Sequence, residues 1–290
     1  MYITLLTDFG AADYFVGALK GAILSVNSHA QIVDITHEIV AHDVQAGAFT
    51  LLAAYDSFPP GTIHVAVVDP GVGSTRRPLL IATDSYFFIG PDNGLFSYVC
   101  ERERDVRVYQ LTNEKYFRAH VSATFHGRDI FAPIAGALSN GVAPEAFGEL
   151  VDDYVRLAPL APVREGGGDE GAAAWSATII HVDRFGNLVT NITRRELAGT
   201  EFARGAKLEI GGREISSFRR FYADAAGDGV THSASGETEA AGGGGADAAC
   251  ELFAIWGSAG FLEIAANRAS AAGLLGAERG QAVRVVGLKS

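Results

Sequence analysis

A valine-rich run that cannot continue sets the first constraint on this fold. His64-Val65-Ala66-Val67-Val68 has the composition of a buried strand, and Asp69-Pro70-Gly71-Val72-Gly73-Ser74-Thr75-Arg76-Arg77 follows it directly. Proline has no ladder donor and the glycines favour a turn, so Asp69 is expected at the strand's carboxyl end, the edge where open α/β sheets hold ligands. A second polar knot, Thr124-Phe125-His126-Gly127-Arg128-Asp129, precedes Ile130, Phe131, Ile134 and Leu138, which recur at helical spacing. A helix is expected to begin near Arg128-Asp129, with Asp129 complementing its dipole. The two knots make Asp69, Arg76 and His126 the chemical candidates.

Around these knots the first half of the chain alternates. Residues 2–6, 31–35 and 62–68 read as strands, and 79–82 with 86–89 as a strand pair. Phe15, Leu19, Ile23 and Val26 form one helical stripe, and residues 44–55 a second helix. The expected fold class is α/β: an amino-terminal α/β sandwich domain with a central, mostly parallel sheet over residues 1–160, then a smaller carboxyl-terminal β-barrel over 175–290. Residues 161–174, which include Glu165-Gly166-Gly167-Gly168-Asp169, are too rich in glycine and charge to pack and are read as a linker. Residues 224–249 carry too little apolar surface to offset ordering entropy and are read as a mobile loop.

With 290 residues and 48% hydrophobic content the chain can bury a core in each domain. A formal charge of -11 argues against nucleic acid or an anionic membrane as partner, because phosphate binding concentrates Lys and Arg. Cys100 and Cys250 stand far apart, without the spacing of a zinc knuckle or a disulfide framework. No leader-like segment or membrane-length apolar run is seen, so a cytoplasmic protein is expected.

Taken singly, the motifs leave alternatives open. Asp8 in Thr7-Asp8-Phe9-Gly10 suits a ribose diol or a helix cap equally. The segment 69–77 is too short for a dinucleotide fingerprint and lacks Gly-Lys-Ser/Thr, which excludes a P-loop. A lone histidine beside an aromatic, as at His126, is more often structural than catalytic. Asp183-Arg184-Phe185-Gly186-Asn187 offers a carboxylate, an aromatic face and an amide, yet also spells a hairpin turn.

Together, Thr7-Asp8-Phe9-Gly10, Val33-Asp34-Ile35-Thr36-His37, residues 67–73, Gly90-Pro91-Asp92-Asn93-Gly94-Leu95, residues 124–129 and residues 183–187 resemble one family, in order and over nearly the whole chain. It is the S-adenosyl-L-methionine hydroxide adenosyltransferases, relatives of fluorinase and chlorinase. The resemblance implies hydrolysis of S-adenosyl-L-methionine to adenosine and L-methionine by a homotrimer with active sites at subunit interfaces. It implies Asp69, Arg76 and His126 as the catalytic set, with Arg76 chosen over Arg77 by spacing. Asp8 would take the ribose hydroxyls, Asp183 the methionine ammonium, Phe185 and Asn187 the adenine region, and Ser258 the methionine carboxylate. No metal and no cofactor are expected, the nucleoside sulfonium being the substrate. The sequence departs from the family at Val40-Ala41-His42-Asp43, where Pro-Pro-x-Asp is usual, and at Gly257-Ser258, where Asn-Ser is usual.

Three other functions fit parts of this pattern. A halogenase would seat a halide, which Asp69 would repel. A non-catalytic sensor of adenosylmethionine or adenosine would not require Asp69, Arg76 and His126. A metal-dependent hydrolase would use Asp8, Asp69, Asp92 and His126, without closely spaced ligands to support it.

Overall fold

Seven strands make one sheet in the first of two compact units, Met1–Pro159 and Leu160–Ser290. The computed structural model describes residues 1–165, 173–196, 206–222 and 251–288. The strands β1 (Tyr2–Thr7), β2 (Gln31–Thr36), β3 (Ile63–Val67), β4 (Pro78–Ala82), β5 (Phe87–Pro91), β6 (Arg107–Leu111) and β7 (Gly148–Val151) lie in the order β2-β1-β3-β5-β4-β6-β7. Pairing is parallel from β2 through β1 and β3 to β5, and antiparallel across β5-β4, β4-β6 and β6-β7. The sheet is therefore mixed, and the expected parallel arrangement describes only its first half. The reason is the short turn between β4 and β5, since a parallel return needs a long crossover.

Alternation along the strands buries both faces. Ile3 and Leu5 of β1 and Ile63, Val65 and Val67 of β3 share a core with Leu19 and Ile23 of α1 (Phe15–Val26) and with Ile134 and Leu138 of α4 (Ala132–Ser139). The intervening residues face α2 (Val44–Ala54) and the short α3 (Ser97–Arg102), where Tyr55 meets His64 and Phe88 edge-on. His64 is wholly buried, with Nδ1 2.7 Å from Thr4 Oγ1, and burial pushes its imidazole down to about 3. It is a neutral polar member of the core.

In the second unit, β8 (Val163–Glu165), β9 (Ala173–Val182), β10 (Leu188–Thr193), β11 (Lys207–Ile210), β12 (Arg213–Ile215), β13 (Phe218–Arg219), β14 (Leu252–Trp256), β15 (Phe261–Ala266) and β16 (Ala282–Leu288) form a second sheet. Its order is β12-β11-β16-β9-β10-β15-β14-β13, with β8 beside β9. Strand β12 comes back against β14, so the sheet curls into a half-barrel whose hydrogen-bonded path stays open among the described residues. Inside it lie Ile179, Leu188, Leu208, Ile264 and Val285, closed by Ala271 of α5 (Ala271–Leu275). The expected linker is corrected at both ends: residues 163–165 pair with β9, which itself begins at Ala173, and Glu165 receives Arg284 at 3.0 Å. Three residues are too few to carry a strand pattern. Residues 166–172 and the expected loop 224–249 lie outside the described residues.

Candidate active site

Parallel pairing brings the chain exits of β1, β2 and β3 to one edge of the first sheet. Leu6 lies opposite Thr36, and Thr7 opposite Val67, so Asp8, His37 and Asp69 emerge side by side. After β3 the chain folds back through turns closed by Val72 N to Asp69 O and Ser74 N to Gly71 O. Gly73 adopts φ +77° against the carbonyl of Ala123, which an added Cβ would approach to 2.2 Å, so the first knot is seated directly on the second.

This fold-back returns Arg76 to Asp69. Arg76 Nε donates to both Asp69 oxygens at 3.0 Å, and Nη2 donates to Oδ2. The side chains are only 8% and 6% exposed, which makes this a buried, multiply bonded ion pair. Nη2 also lies 2.9 Å from His126 Nδ1. Because a guanidinium only donates, Nδ1 must accept, and the neutral ring carries its hydrogen on Nε2. Burial and the adjacent Arg76 charge hold the His126 imidazole below its ordinary range, against the pull of Asp69 and Asp129. The Arg76 guanidinium lies 5.3 Å from the Phe131 ring centroid, so the second knot and the helical turn that follows it each hold it.

Arg77 faces elsewhere. It donates to Asp92 from Nε (2.9 Å) and Nη2 (2.7 Å), and to Asp153 from Nη1 (2.7 Å). Asp92 also accepts from Val155 N at 2.8 Å. It is thus a structural anchor, committed away from the tetrad that a metal-dependent hydrolase would need. Among the described residues no group of three or more His, Cys, Asp or Glu side chains is placed to hold a metal.

The second knot also differs from its expected form. His126 already has helical angles, and a π-helical turn, Gly127–Phe131, leads into α4. Wide turns of this kind recur at functional sites, where the extra residue re-aims a side chain. Asp129 stands in the first turn of this helical segment, as expected, and has a second task there. It is fully buried, accepting from Arg128 Nε (2.7 Å), Arg128 Nη2 (2.8 Å) and Ser122 N (2.9 Å), and so fixes the loop before His126.

A cavity of about 290 Å³ opens at this edge, walled by Asp8, Asp69 and His126 among apolar Phe9, Val67 and Phe125. Arg76 is not part of this wall and grips Asp69 and His126 from outside it. Asp8 accepts from the backbone N–H of His42 at 2.8 Å through Oδ2. His42 is in the left-handed region at φ 70°, in the segment that departs from Pro-Pro-x-Asp.

The second unit has its own cavity, of about 790 Å³, and it gathers Asp183, Phe185, Asn187 and Ser258. Asp183 Oδ1 accepts from the backbone of Phe185 and Asn187, and Oδ2 from Asn187 Nδ2, each at 2.8 Å. The hairpin-turn reading of this motif is therefore real, and it leaves Phe185 77% exposed at the rim. Gly186, at φ +82°, packs where a Cβ would come within 2.0 Å of Ser270 Oγ.

Two lining residues escaped the sequence reading. Glu263 has its carboxyl pushed up to about 7, first by burial and then by the Asp183 charge. Its Oε1 occupies the space above Gly257, where an added Cβ would lie 1.7 Å away. Arg268, also left-handed at φ 56°, puts a cation on the same wall. The departure at Gly257 was the available signal for the first; nothing in the sequence marked the second.

The fold is that of a two-unit protein with an α/β sheet unit and a curled β unit, each with its own cavity, and comparison with known proteins gives the family. Residues 3–148 match the SAM hydroxide adenosyltransferase N-terminal domain and residues 177–284 the corresponding C-terminal domain. The chain belongs to the SAM hydroxide adenosyltransferase family. It is 32% identical to the (R)-S-adenosyl-L-methionine hydrolase of Thermus thermophilus over 98% of this chain and 99% of that one. It is 42% identical to the enzyme of that name from Methanocaldococcus jannaschii over 67% and 68% of the two chains. An uncharacterized conserved protein from Thermotoga maritima superposes with a TM-score of 0.81 at 31% identity, over 98% of this chain and 100% of that one. Among the described residues no helix is long and apolar enough to cross a membrane.

Proposed function

We infer that this protein hydrolyses S-adenosyl-L-methionine to adenosine and L-methionine. The observation that carries the reading is the Asp69-Arg76-His126 trio, with its carboxylate and imidazole on the wall of an apolar cavity. Water attacks the ribose C5′, the new C–O bond forms as C5′–S breaks, and the sulfonium takes the electron pair to leave as a neutral thioether. The leaving group needs no proton, so the protein's task is confined to the water.

Arg76 cannot be the base, and with Nδ1 of His126 occupied the ring offers only its Nε2–H. A water that donates to Asp69 and accepts from His126 Nε2 keeps one lone pair for C5′, and its proton passes to Asp69 and then to solvent. His126 is thereby an orienting donor. Asp8 takes the ribose hydroxyls. In the second unit's cavity Asp183 and Glu263 hold the methionine ammonium, Ser258 and Arg268 its carboxylate, and Phe185 and Asn187 the adenine region. The reaction uses no metal and no cofactor.

The first cavity lies near the lower limit of ligand-pocket volumes. This supports the homotrimer implied by the family, in which the second unit of a neighbouring subunit completes each site. Mixing inactive Asp69→Asn and Asp183→Ala proteins should then restore activity in mixed trimers. Additive, unrescued loss would place each site within one subunit. The reaction itself is tested by turnover in ¹⁸O-labelled water. Label at the adenosine 5′ oxygen supports it, and a 5′-halonucleoside formed only when halide is supplied would replace it with halogenation.

A further inference from the structure

His37 touches neither the cavity nor the catalytic trio, yet it grips the loop carrying Asp8 at both ends. Its Nδ1 lies 2.8 Å from Thr7 Oγ1, and its backbone oxygen accepts from Gly10 N at 2.7 Å. Between these holds stand Asp8 and Phe9, both on the cavity wall. Thr7 is fully buried and His37 is 8% exposed, so the grip is shielded from water.

The hydrogen bonds fix a direction. Lys20 Nζ donates to Asp34 Oδ2 at 2.6 Å, and Asp34 Oδ1 lies 3.2 Å from His37 Nε2, within ion-pair distance though off the hydrogen-bond axis. Burial opposes ionisation of Asp34, but the hydrogen bond from Lys20 and the His37 ring beside it prevail and hold its carboxyl below the ordinary range. A carboxylate only accepts, so it favours the hydrogen on Nε2, which makes Nδ1 the acceptor for the Thr7 hydroxyl. That hydroxyl then accepts from Phe9 N at 3.2 Å, so the hydrogen bonds from the ring to Phe9 run in one consistent direction.

We propose that His37 is a positioning residue for ribose recognition: its imidazole and its carbonyl clasp residues 7 and 10 and so hold the Asp8 carboxylate toward the 2′- and 3′-hydroxyls. The proposal rests on the reading of Asp8 given above. A clasp that works through the Asp8 carboxylate acts chiefly on the diol, which separates it from a general packing role.

The test compares calorimetric binding of adenosine and of 2′,3′-dideoxyadenosine to the full-length protein and its variants. His37→Ala is expected to weaken adenosine about tenfold, equivalent to about 1.4 kcal/mol, and to leave the dideoxy analogue within about twofold. Thr7→Val, which keeps the shape and removes the hydroxyl, should reproduce this selectivity if His37→Ala folds poorly. His37→Asn, whose side-chain amide can still reach the Thr7 hydroxyl, should recover most of the loss. Adding His37→Ala to Asp8→Ala should cost nothing further, because residues acting through one contact are not additive. Equal weakening of both nucleosides, or full additivity with Asp8→Ala, overturns the clasp. An Asp8→Ala protein that discriminates the two nucleosides as the parent does removes the reading of Asp8, and the clasp with it.

Discussion

Arg76 Nη2 donates to His126 Nδ1 at 2.9 Å, and this single contact decides which nitrogen of the imidazole carries a proton in the resting site. A second proton on the ring would set an N–H against the guanidinium. The contact is therefore compatible only with neutral His126.

The first prediction is the pH profile that follows. The folded-state pKa of His126 lies below the ordinary value, with burial the leading cause and Arg76 next. Neutral imidazole thus persists below pH 6.5, and the acid limb of kcat, which the Glu263 effect on KM leaves largely untouched, should have its midpoint below about 6.5. His126→Gln should be slower by about 10²-fold and should lack that limb. A midpoint at or above 6.5 would remove His126 from the water-binding role.

The paired arginines should separate cleanly. Arg76→Lys keeps charge but loses the fork that reaches two partners, so turnover should fall by about 10²-fold or more while thermal stability changes little. Arg77→Ala leaves Asp92, whose side chain is 4% exposed, without its main partner. Removing one member of a buried pair costs about 3–5 kcal/mol, so this variant should melt early and yet turn over normally while folded. Scanning calorimetry beside single-turnover rates reads both, and the reverse assignment would appear as exchanged phenotypes.

Glu263 should make substrate capture depend on pH near neutrality. Its pKa is raised to about 7 by burial and then by Asp183, so the carboxylate that attracts an ammonium is lost as pH falls through 7. KM should rise roughly tenfold from pH 8 to pH 6, with kcat changed much less, and Glu263→Gln should abolish the dependence. The stability effect has the opposite sign: a raised carboxyl favours the fold at low pH, and that contribution is lost as pH rises from the unfolded value through 7. Gly257→Ala should raise KM without lowering Tm much, because what it displaces is the outer part of the Glu263 side chain and not backbone. An unchanged KM in that variant would show that the carboxylate position is irrelevant to binding.

His64 predicts acid sensitivity of the first unit. Its folded pKa, about 3, lies below the unfolded value near 6.5, so stability is complete above 6.5 and declines as pH falls toward 3. The slope is about 1.4 kcal/mol per pH unit in that window. Replacing His64 with Phe and Thr4 with Val together should flatten it without leaving a buried hydroxyl unpaired. Urea titrations at pH 4, 5, 6 and 7 measure the difference.

Much of this was written locally in the chain. The Val-rich run and its Pro-Gly break were enough to put Asp69 at a strand end, and the stripe from Ile130 to Leu138 was enough for α4. The partner of each arginine was not, because Arg76 and Arg77 are neighbours with similar chemistry, and only the fold-back after Gly73 sends one to Asp69 and the other to Asp92. Asp129 was legible as an acid near a helix start but not as the fully buried clasp on Ser122, which depends on a loop closing seven residues earlier. Glu263 escaped because its importance comes from a missing side chain at Gly257 across a hairpin. Strands β8, β12 and β13, two or three residues each, are held by their neighbours and carry no periodicity of their own.

The interlocked bonding of Asp69, Arg76 and His126 also constrains descent. Asp69 and Arg76 neutralise each other's buried charge, so losing Arg76 strands a buried acid, and losing Asp69 strands a buried cation. A single substitution at exposed Phe185 leaves no buried charge alone, whereas one at Asp69 or Arg76 does. A descendant that abandons water as its nucleophile must cross that gap in a single concerted exchange or first acquire stability elsewhere to survive the intermediate.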